Sequence, residues 1–91
     1  MTLQPTRRTS FDKDVKRMLK RGKDMRKLRS VLQLLIDQTP LPDTLRDHAL
    51  KGGYRARREL HIEPDWLLIY ESDDTTLTLH ATGSHSDLFD E

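Results

Sequence analysis

The stretch His61-Ile-Glu-Pro-Asp-Trp-Leu-Leu-Ile-Tyr70 decides the fold of this chain. Pro64 stands at a favoured second position of a four-residue turn. The apolar run Leu67-Leu-Ile-Tyr70 that follows is typical of a buried strand. We therefore predict a β-hairpin, with one strand over residues 54–61 and a second over residues 66–71.

A third strand is predicted downstream of this hairpin. Leu77, Leu79 and Ala81 alternate with polar residues over residues 76–82, and a short polar turn precedes them. Short connections favour antiparallel neighbours, so the three strands are expected to form a meander. If the three apolar side chains face inward, His80 lies on the outward, solvated face, and we assign it no role.

Upstream of the hairpin, the apolar spacing becomes helical. A first helix is predicted over residues 10–21, with Thr9 or Ser10 as its cap and Gly22 as the left-handed residue that ends it. Its apolar stripe consists of Phe11, Val15, Met18 and Leu19. A second helix is predicted over residues 24–38. Its inward side chains are Met25, Leu28, Val31, Leu32, Leu35 and Ile36.

These elements predict an α+β fold in a single domain over residues 1–91, with an N-terminal edge strand at residues 3–9 and a helical hairpin packed on the antiparallel meander. The absence of cysteine excludes disulfides, thiolate nucleophiles and sulfur-ligated metal centres, and it fits a cytoplasmic protein. No run approaches the roughly 18 apolar residues of a membrane span, so no membrane partner is expected.

The formal net charge of +1 conceals an asymmetry along the chain. Residues 1–58 carry all 16 basic side chains and six acidic ones, whereas residues 59–91 carry nine acidic side chains. Such an asymmetry is expected where a basic surface meets a polyanion. The lysines of the predicted helices are read as a solvated face. Four basic residues crowd just before His61 and are candidates for binding RNA phosphates: Lys51, Arg55, Arg57 and Arg58.

Three of the four histidines lie at the ends of predicted elements. His48 is in a polar loop before the sheet, His61 closes the first strand, and His85 follows the turn that ends the third. Imidazole transfers protons near neutral pH, and Asp65 can approach His61 across the hairpin mouth, so we predict an acid/base site. A metal site is the alternative, but no HExxH motif, cysteine pair or close histidine pair occurs, and neither a metal nor another cofactor is expected.

At this point the sequence resembles the bacterial RelE-type toxins, and within them the YafQ-type toxins, over nearly its whole length. The matching segments are Phe11-Asp-Lys-Asp-Val-Lys16, Lys23-Asp-Met-Arg-Lys-Leu28, Leu41-Pro42, Asp47-His-Ala-Leu-Lys-Gly52, the stretch 61–70, and Thr82-Gly-Ser-His-Ser-Asp-Leu-Phe89. The resemblance implies an endoribonuclease that cuts messenger RNA in the ribosomal A site without a metal. It also implies silencing by a ribbon-helix-helix antitoxin similar to DinJ or RelB, with operator DNA bound only through that complex.

The resemblance also implies roles for individual residues. The functional positions of the family fall on His48, His61, Asp65 and His85. Trp66 and Phe89 would line the site, although on sequence alone Trp66 is a typical core residue and Phe89 could equally anchor the tail. Glu59 stands in a supporting position, where YafQ-type toxins have an aspartate.

One position departs from the family pattern. Ala81 replaces an arginine, so charge on the phosphate would have to be stabilised by Arg58, Arg57 or a histidinium. Our interpretation has His85 and Asp65 nearest the proton transfers, His48 and His61 orienting or neutralising, and Arg58 on the phosphate. Which residue is the acid and which the base stays open. The alternative function is an RNA-binding, ribosome-binding or antitoxin-binding protein without catalysis.

Overall fold

The structure is a computed structural model that describes residues 2–50 and 57–89. The strands are β1 (Gln4–Arg7), β2 (His48–Ala49), β3 (Arg57–Glu63), β4 (Trp66–Ser72) and β5 (Thr76–Gly83). The helices are α1 (Thr9–Lys20), α2 (Met25–Ile36) and α3 (His85–Phe89), and a 3₁₀ turn, Asp43–Leu45, precedes β2. Within the described ranges, no helix combines the length and the apolar character that crossing a membrane requires.

The five strands form one mixed sheet in the order β1-β5-β4-β3-β2. Strands β3, β4 and β5 pair antiparallel, which confirms the predicted meander and the α+β class. The predicted N-terminal edge strand is also confirmed, and it pairs parallel with β5 because the helical hairpin carries the chain back before the meander begins. Residues 54–56 of the first predicted strand lie outside the described residues.

The helical hairpin covers one face of the sheet and encloses the core. The core side chains are Leu3, Phe11, Met18, Leu28, Val31, Leu35, Leu60, Trp66, Leu68, Tyr70, Leu77 and Leu79. Leu19 was predicted to face inward, but it is 58% exposed. Leu19 lies about 80° around the helix axis from Phe11. Helix α1 packs against β5, and the side chain of Leu19 therefore points to one side of that strand.

The predicted break between the two helices is confirmed, whereas the predicted cap of α1 is not. Asp24 caps α2 by accepting the N–H of Arg26 at 2.9 Å, and Gly22 adopts a left-handed φ of 84° after α1. The cap of α1, however, is Arg8, and no side chain caps that end. The prediction of Thr9 or Ser10 was wrong because the Ser10 hydroxyl donates to the His80 carbonyl oxygen at 3.0 Å instead.

A β-bulge in β5 overturns two predictions about that strand. Ile69 pairs with Ala81 and Tyr70 pairs with Leu79, which leaves His80 as an extra residue between the two pairs. The bulge reverses the alternation, so Ala81 turns away from the core face on which Leu79 lies. His80 stays on the face opposite the core, where it lines a groove together with Ala81, but it is only 8% exposed and lies 2.9 Å from a carboxylate oxygen of Glu71, so the prediction that it is solvated was wrong.

Candidate acid/base site

The sheet face opposite the core gathers two histidines around one carboxylate. Successive side chains of β3 alternate between faces, so Glu59 and His61 share a face while Leu60 enters the core. Strand β2 places His48 directly opposite Glu59. His48 therefore belongs to a short strand, and the predicted loop position was wrong because backbone pairing with β3 recruits this residue.

Glu59 lies between the two imidazole rings. Its carboxylate oxygens are 3.4 Å from His48 Nε2 and 3.9 Å from His61 Nε2, and the two ring centroids are 6.2 Å apart. Glu59 is only 7% exposed, so its charge is poorly screened by water. His48 Nδ1 donates to the Arg46 carbonyl oxygen at 2.8 Å, because a carbonyl can only accept. This bond directs His48 Nε2 toward Glu59.

His85 completes the row of histidines from the first residue of α3. Its ring centroid is 5.9 Å from that of His61. Asp65 was predicted to approach His61, but its partner is His85. Asp65 Oδ1 accepts the His85 backbone N–H at 2.9 Å and the ring Nδ1–H at 2.6 Å. The structure therefore brings the four residues of the predicted site together, with Glu59 between His48 and His61.

The hydrogen bonds to Asp65 favour its ionised carboxylate and determine which ring nitrogen of His85 carries the proton facing it. The backbone N–H of His85, followed by its ring N–H, lowers the pKa of the Asp65 carboxyl below its usual range. An ionised carboxylate only accepts hydrogen bonds, so Nδ1 of His85 carries the proton that points at Asp65. His85 Nε2 is thereby left available on the other side of the ring, where it can accept or release a proton.

Arg58 occupies a different place from the one predicted. It lies on the core face of β3, where Nε and Nη2 donate to Asp47 Oδ2 at 3.0 and 2.8 Å. The Tyr70 hydroxyl also donates to Asp47. The Asp47 hydrogen bond raises the pKa of Arg58 above its usual value. Strand alternation thus directs Arg58 away from Glu59 and His61, and the prediction that it binds the phosphate finds no support in this geometry.

Trp66 also differs from its predicted site position. Its indole is fully buried, and Nε1 donates to Thr82 Oγ1 at 2.9 Å. The Thr82 hydroxyl in turn donates to the Leu67 carbonyl oxygen at 2.6 Å. The prediction that Trp66 lines the site is therefore wrong, because the ring lies under the sheet, and its alternative interpretation as a core residue is confirmed.

A groove of about 370 Å³ lies on the site face of the sheet; His80 lines it, whereas His48, His61 and His85 do not. Arg57 lines it from the β3 position two residues before Glu59, and Phe89 lines it from α3. Ala81 is part of the same wall, so Arg57 stands near the position that lacks the family's arginine. Arg8 also lines the groove and was missed in the sequence, because only the pairing of β1 with β5 brings it there. The candidates Lys51 and Arg55 lie outside the described residues.

The fold creates a histidine pair that sequence spacing does not reveal. Ligand atoms of Glu59, His61 and His85 all lie within 4.8 Å of one another. One carboxylate and two imidazoles are a donor set that suits zinc or another first-row metal. The chemical groups of the acid/base site could therefore also hold a metal ion.

Comparisons with known proteins cover most of the chain. A sequence model described as "Bacterial toxin of type II toxin-antitoxin system, YafQ" covers residues 3–90. The "mRNA interferase toxin YafQ" of Escherichia coli strain K12 is 48% identical over 80 residues, which are 87% of each chain.

Solved structures agree with the sequence comparison. A crystal structure of the E. coli DinJ-YafQ toxin-antitoxin complex superposes with a TM-score of 0.91 at 41% identity, covering 98% of this chain and 99% of that one. A metal-bound toxin from Helicobacter pylori superposes with a TM-score of 0.89 at 41% identity, covering 98% and 100%. The resemblance seen in the sequence is confirmed: the chain belongs to the YafQ family of bacterial toxins of type II toxin–antitoxin systems.

Proposed function

We propose that this single-domain protein is an mRNA interferase of the cytoplasm, a ribosome-dependent endoribonuclease that inhibits translation. The observation that carries the proposal is the row His48, His61 and His85, with carboxylates at Glu59 and Asp65. Its similarity to the E. coli mRNA interferase supports the substrate class. RNA cleavage by its own 2′-hydroxyl needs a base, an acid at the departing 5′-oxygen and positive charge at the phosphorus.

His85 is one of the two proton-transfer residues in this mechanism. Asp65 holds the Nδ1–H of His85 and aims its Nε2 into the site, so Asp65 acts by orienting the ring. His61 is the second residue, because its ring lies 5.9 Å from that of His85, and a phosphodiester between them can be contacted from both sides. His48 and Glu59 orient His61 and balance the charge of either imidazole when it is protonated.

The groove lined by Arg57 and Phe89 binds the message next to the cut. Arg57 lies on the same face as Glu59 and supplies positive charge to the phosphate in place of the family's arginine at Ala81. Phe89, partly exposed in the same groove, offers a ring on which a base can stack. The groove thus combines a cation with an aromatic ring, as in other sites for single-stranded RNA.

The partner that silences the enzyme is an antitoxin of the DinJ or RelB type. The E. coli relative was crystallised as a complex with DinJ, which supports a similar partner here. Operator DNA is bound through that complex. The basic residues that crowd before His61 in the sequence, Lys51, Arg55 and Arg57, support association with ribosomal RNA around the messenger.

The test is to map cut sites on a message held in translating ribosomes. Attack by the 2′-hydroxyl leaves a 2′,3′-cyclic phosphate and a 5′-hydroxyl, so a message with 2′-deoxyribose at the mapped position is expected to resist cleavage. Cleavage should persist with a chelator selective for transition metals, which leaves the ribosome its Mg²⁺. Cutting of the 2′-deoxy message would contradict the mechanism. Ribosome binding without any cleavage would favour the non-catalytic alternative.

A second candidate function, metal binding that inhibits cleavage, is supported by the cluster of Glu59, His61 and His85. The H. pylori relatives were crystallised in metal-bound and copper-bound forms, which supports the same capacity in this chain. A metal on the imidazole nitrogens would occupy the lone pairs that proton transfer needs. Added zinc or copper is expected to slow cleavage, and the selective chelator to restore it. A metal that accelerates cleavage would contradict this role.

A further inference from the structure

Helix α3 carries His85 but has little means of holding its own position. It contains five residues, far fewer than an isolated helix needs to be stable. None of its described side chains is fully buried. The orientation of His85 must therefore depend on contacts that tie α3 to the rest of the protein.

Asp87 makes the strongest of these contacts. Arg21, at the end of α1, donates from Nη1 to Asp87 Oδ2 at 2.5 Å and from Nη2 to Oδ1 at 2.9 Å. This bidentate geometry is the most directional form of an arginine–carboxylate pair. The Asp87 side chain is only 11% exposed, and Arg17 Nε lies 3.9 Å from it. Chiefly because of Arg21, the pKa of the Asp87 carboxyl is well below its usual range.

The same carboxylate also caps its own helix. Asp87 Oδ2 accepts the backbone N–H of Ser84 at 2.9 Å, and Ser84 Oγ accepts the backbone N–H of Asp87 at 3.1 Å. This reciprocal pair is a capping box, which fixes the start of α3 at His85. The close approach requires a glycine at position 83, because a Cβ on Gly83 would lie 2.9 Å from Asp87 Cβ.

We propose that Arg21 and Asp87 are positioning residues, which dock α3 against α1 and thereby aim His85 at the scissile phosphate. Asp65 restrains the ring and the backbone N–H of His85 from the β3–β4 turn, and Asp87 restrains the same helix from the side of α1. With both restraints, a five-residue helix holds its imidazole beside His61. The inference rests on the proposed role of His85 in proton transfer.

Two variants test the role of the pair: Asp87→Asn and Arg21→Gln. Because misplacement of a reacting group by about 1 Å can cost 10²-fold in rate, each is expected to lower kcat on ribosome-bound message by about 10- to 100-fold, with KM little changed. Arg21→Lys retains the charge without the bidentate geometry and should recover part of the rate. Hydrogen exchange of the His85 backbone N–H should accelerate in the two impaired variants.

The matched control is Arg26→Gln. Arg26 also forms a two-point pair, with Asp24 at 3.1 and 3.2 Å, but this pair lies at the start of α2, and the Arg26 side chain is largely exposed. This control should cleave at the parental rate. Parental kcat in both Asp87→Asn and Arg21→Gln, with His85→Gln inactive, would overturn the positioning role. Parental kcat in His85→Gln would instead overturn the proposed function. Arg21 is well exposed, so Arg21→Gln keeps the test decisive if Asp87→Asn fails to fold.

Discussion

Thr82 joins the Trp66 indole to the backbone of the sheet through two hydrogen bonds. Replacing Thr82 with valine measures how much this connection contributes to the free energy of unfolding. Valine keeps the volume but removes the hydroxyl, so the Trp66 N–H loses its acceptor and the Leu67 carbonyl loses a donor. Both groups are buried, and leaving a buried polar group unpaired costs about 1 to 3 kcal/mol. The Trp66 N–H is the group left without its partner, since Leu67 also lies in the ladder of the central strand, so we expect Thr82→Val to lower the free energy of unfolding by about 1 to 3 kcal/mol.

The assay is thermal unfolding followed by circular dichroism. A domain of this size loses about 4 to 8 °C in Tm per kcal/mol, so the expected decrease is about 4 to 24 °C. The matched control is Thr78→Val on the same strand. Thr78 is partly exposed, and its replacement should change the free energy of unfolding by no more than about 0.5 kcal/mol.

A decrease in Tm no larger than that of Thr78→Val would refute the reasoning. The same experiment checks that Trp66 acts as a core residue. A core tryptophan predicts lost stability, with cleavage preserved in the protein that remains folded. A tryptophan that contacts RNA would instead predict lost cleavage with stability preserved.

Two further predictions concern pH and the surface of α1. Burial, reinforced by the hydrogen bond to Asp47, raises the pKa of the Tyr70 hydroxyl, so its stabilising contribution is full below about pH 10 and is lost as pH rises toward the folded pKa. In a Tyr54→Phe background, absorbance at 295 nm should therefore show Tyr70 ionising together with alkaline unfolding; ionisation near pH 10 in the folded protein would contradict this. Leu19→Gln should change the free energy of unfolding in urea by no more than about 0.5 kcal/mol, whereas Met18→Ala should cost about 2 to 5 kcal/mol. A similar loss in both variants would show that α1 packs differently.

Local sequence signals predicted the scaffold because they depend on neighbours in the chain. The turn around Pro64 and the apolar run after it predicted the central hairpin, and Gly22 and Asp24 predicted the break between the helices. The bulge at His80 could not be predicted in this way. It arises from how β4 and β5 pair, and one extra residue reverses every later side chain of the strand.

The candidate site was predictable to the extent that strand ends converge. His48, His61 and His85 were expected to meet because each lies at the end of an element. Sequence did not reveal that Asp65 pairs with His85, since that bond depends on the start of a five-residue helix. Ser84-His-Ser-Asp87 matches a capping-box pattern that could have been recognised in the sequence, but the pairing of Asp87 with Arg21, 66 positions away, carried no local signal.

The central claim is that His85 transfers a proton during cleavage of the message. Its most direct test is the single-turnover rate of His85→Gln on ribosome-bound message, with Asp74→Asn on the exposed β4–β5 turn as control. Loss of one proton-transfer residue should lower the rate by about 10² to 10⁴, with Tm and ribosome binding unchanged. Cleavage by His85→Gln at the parental rate would contradict the account.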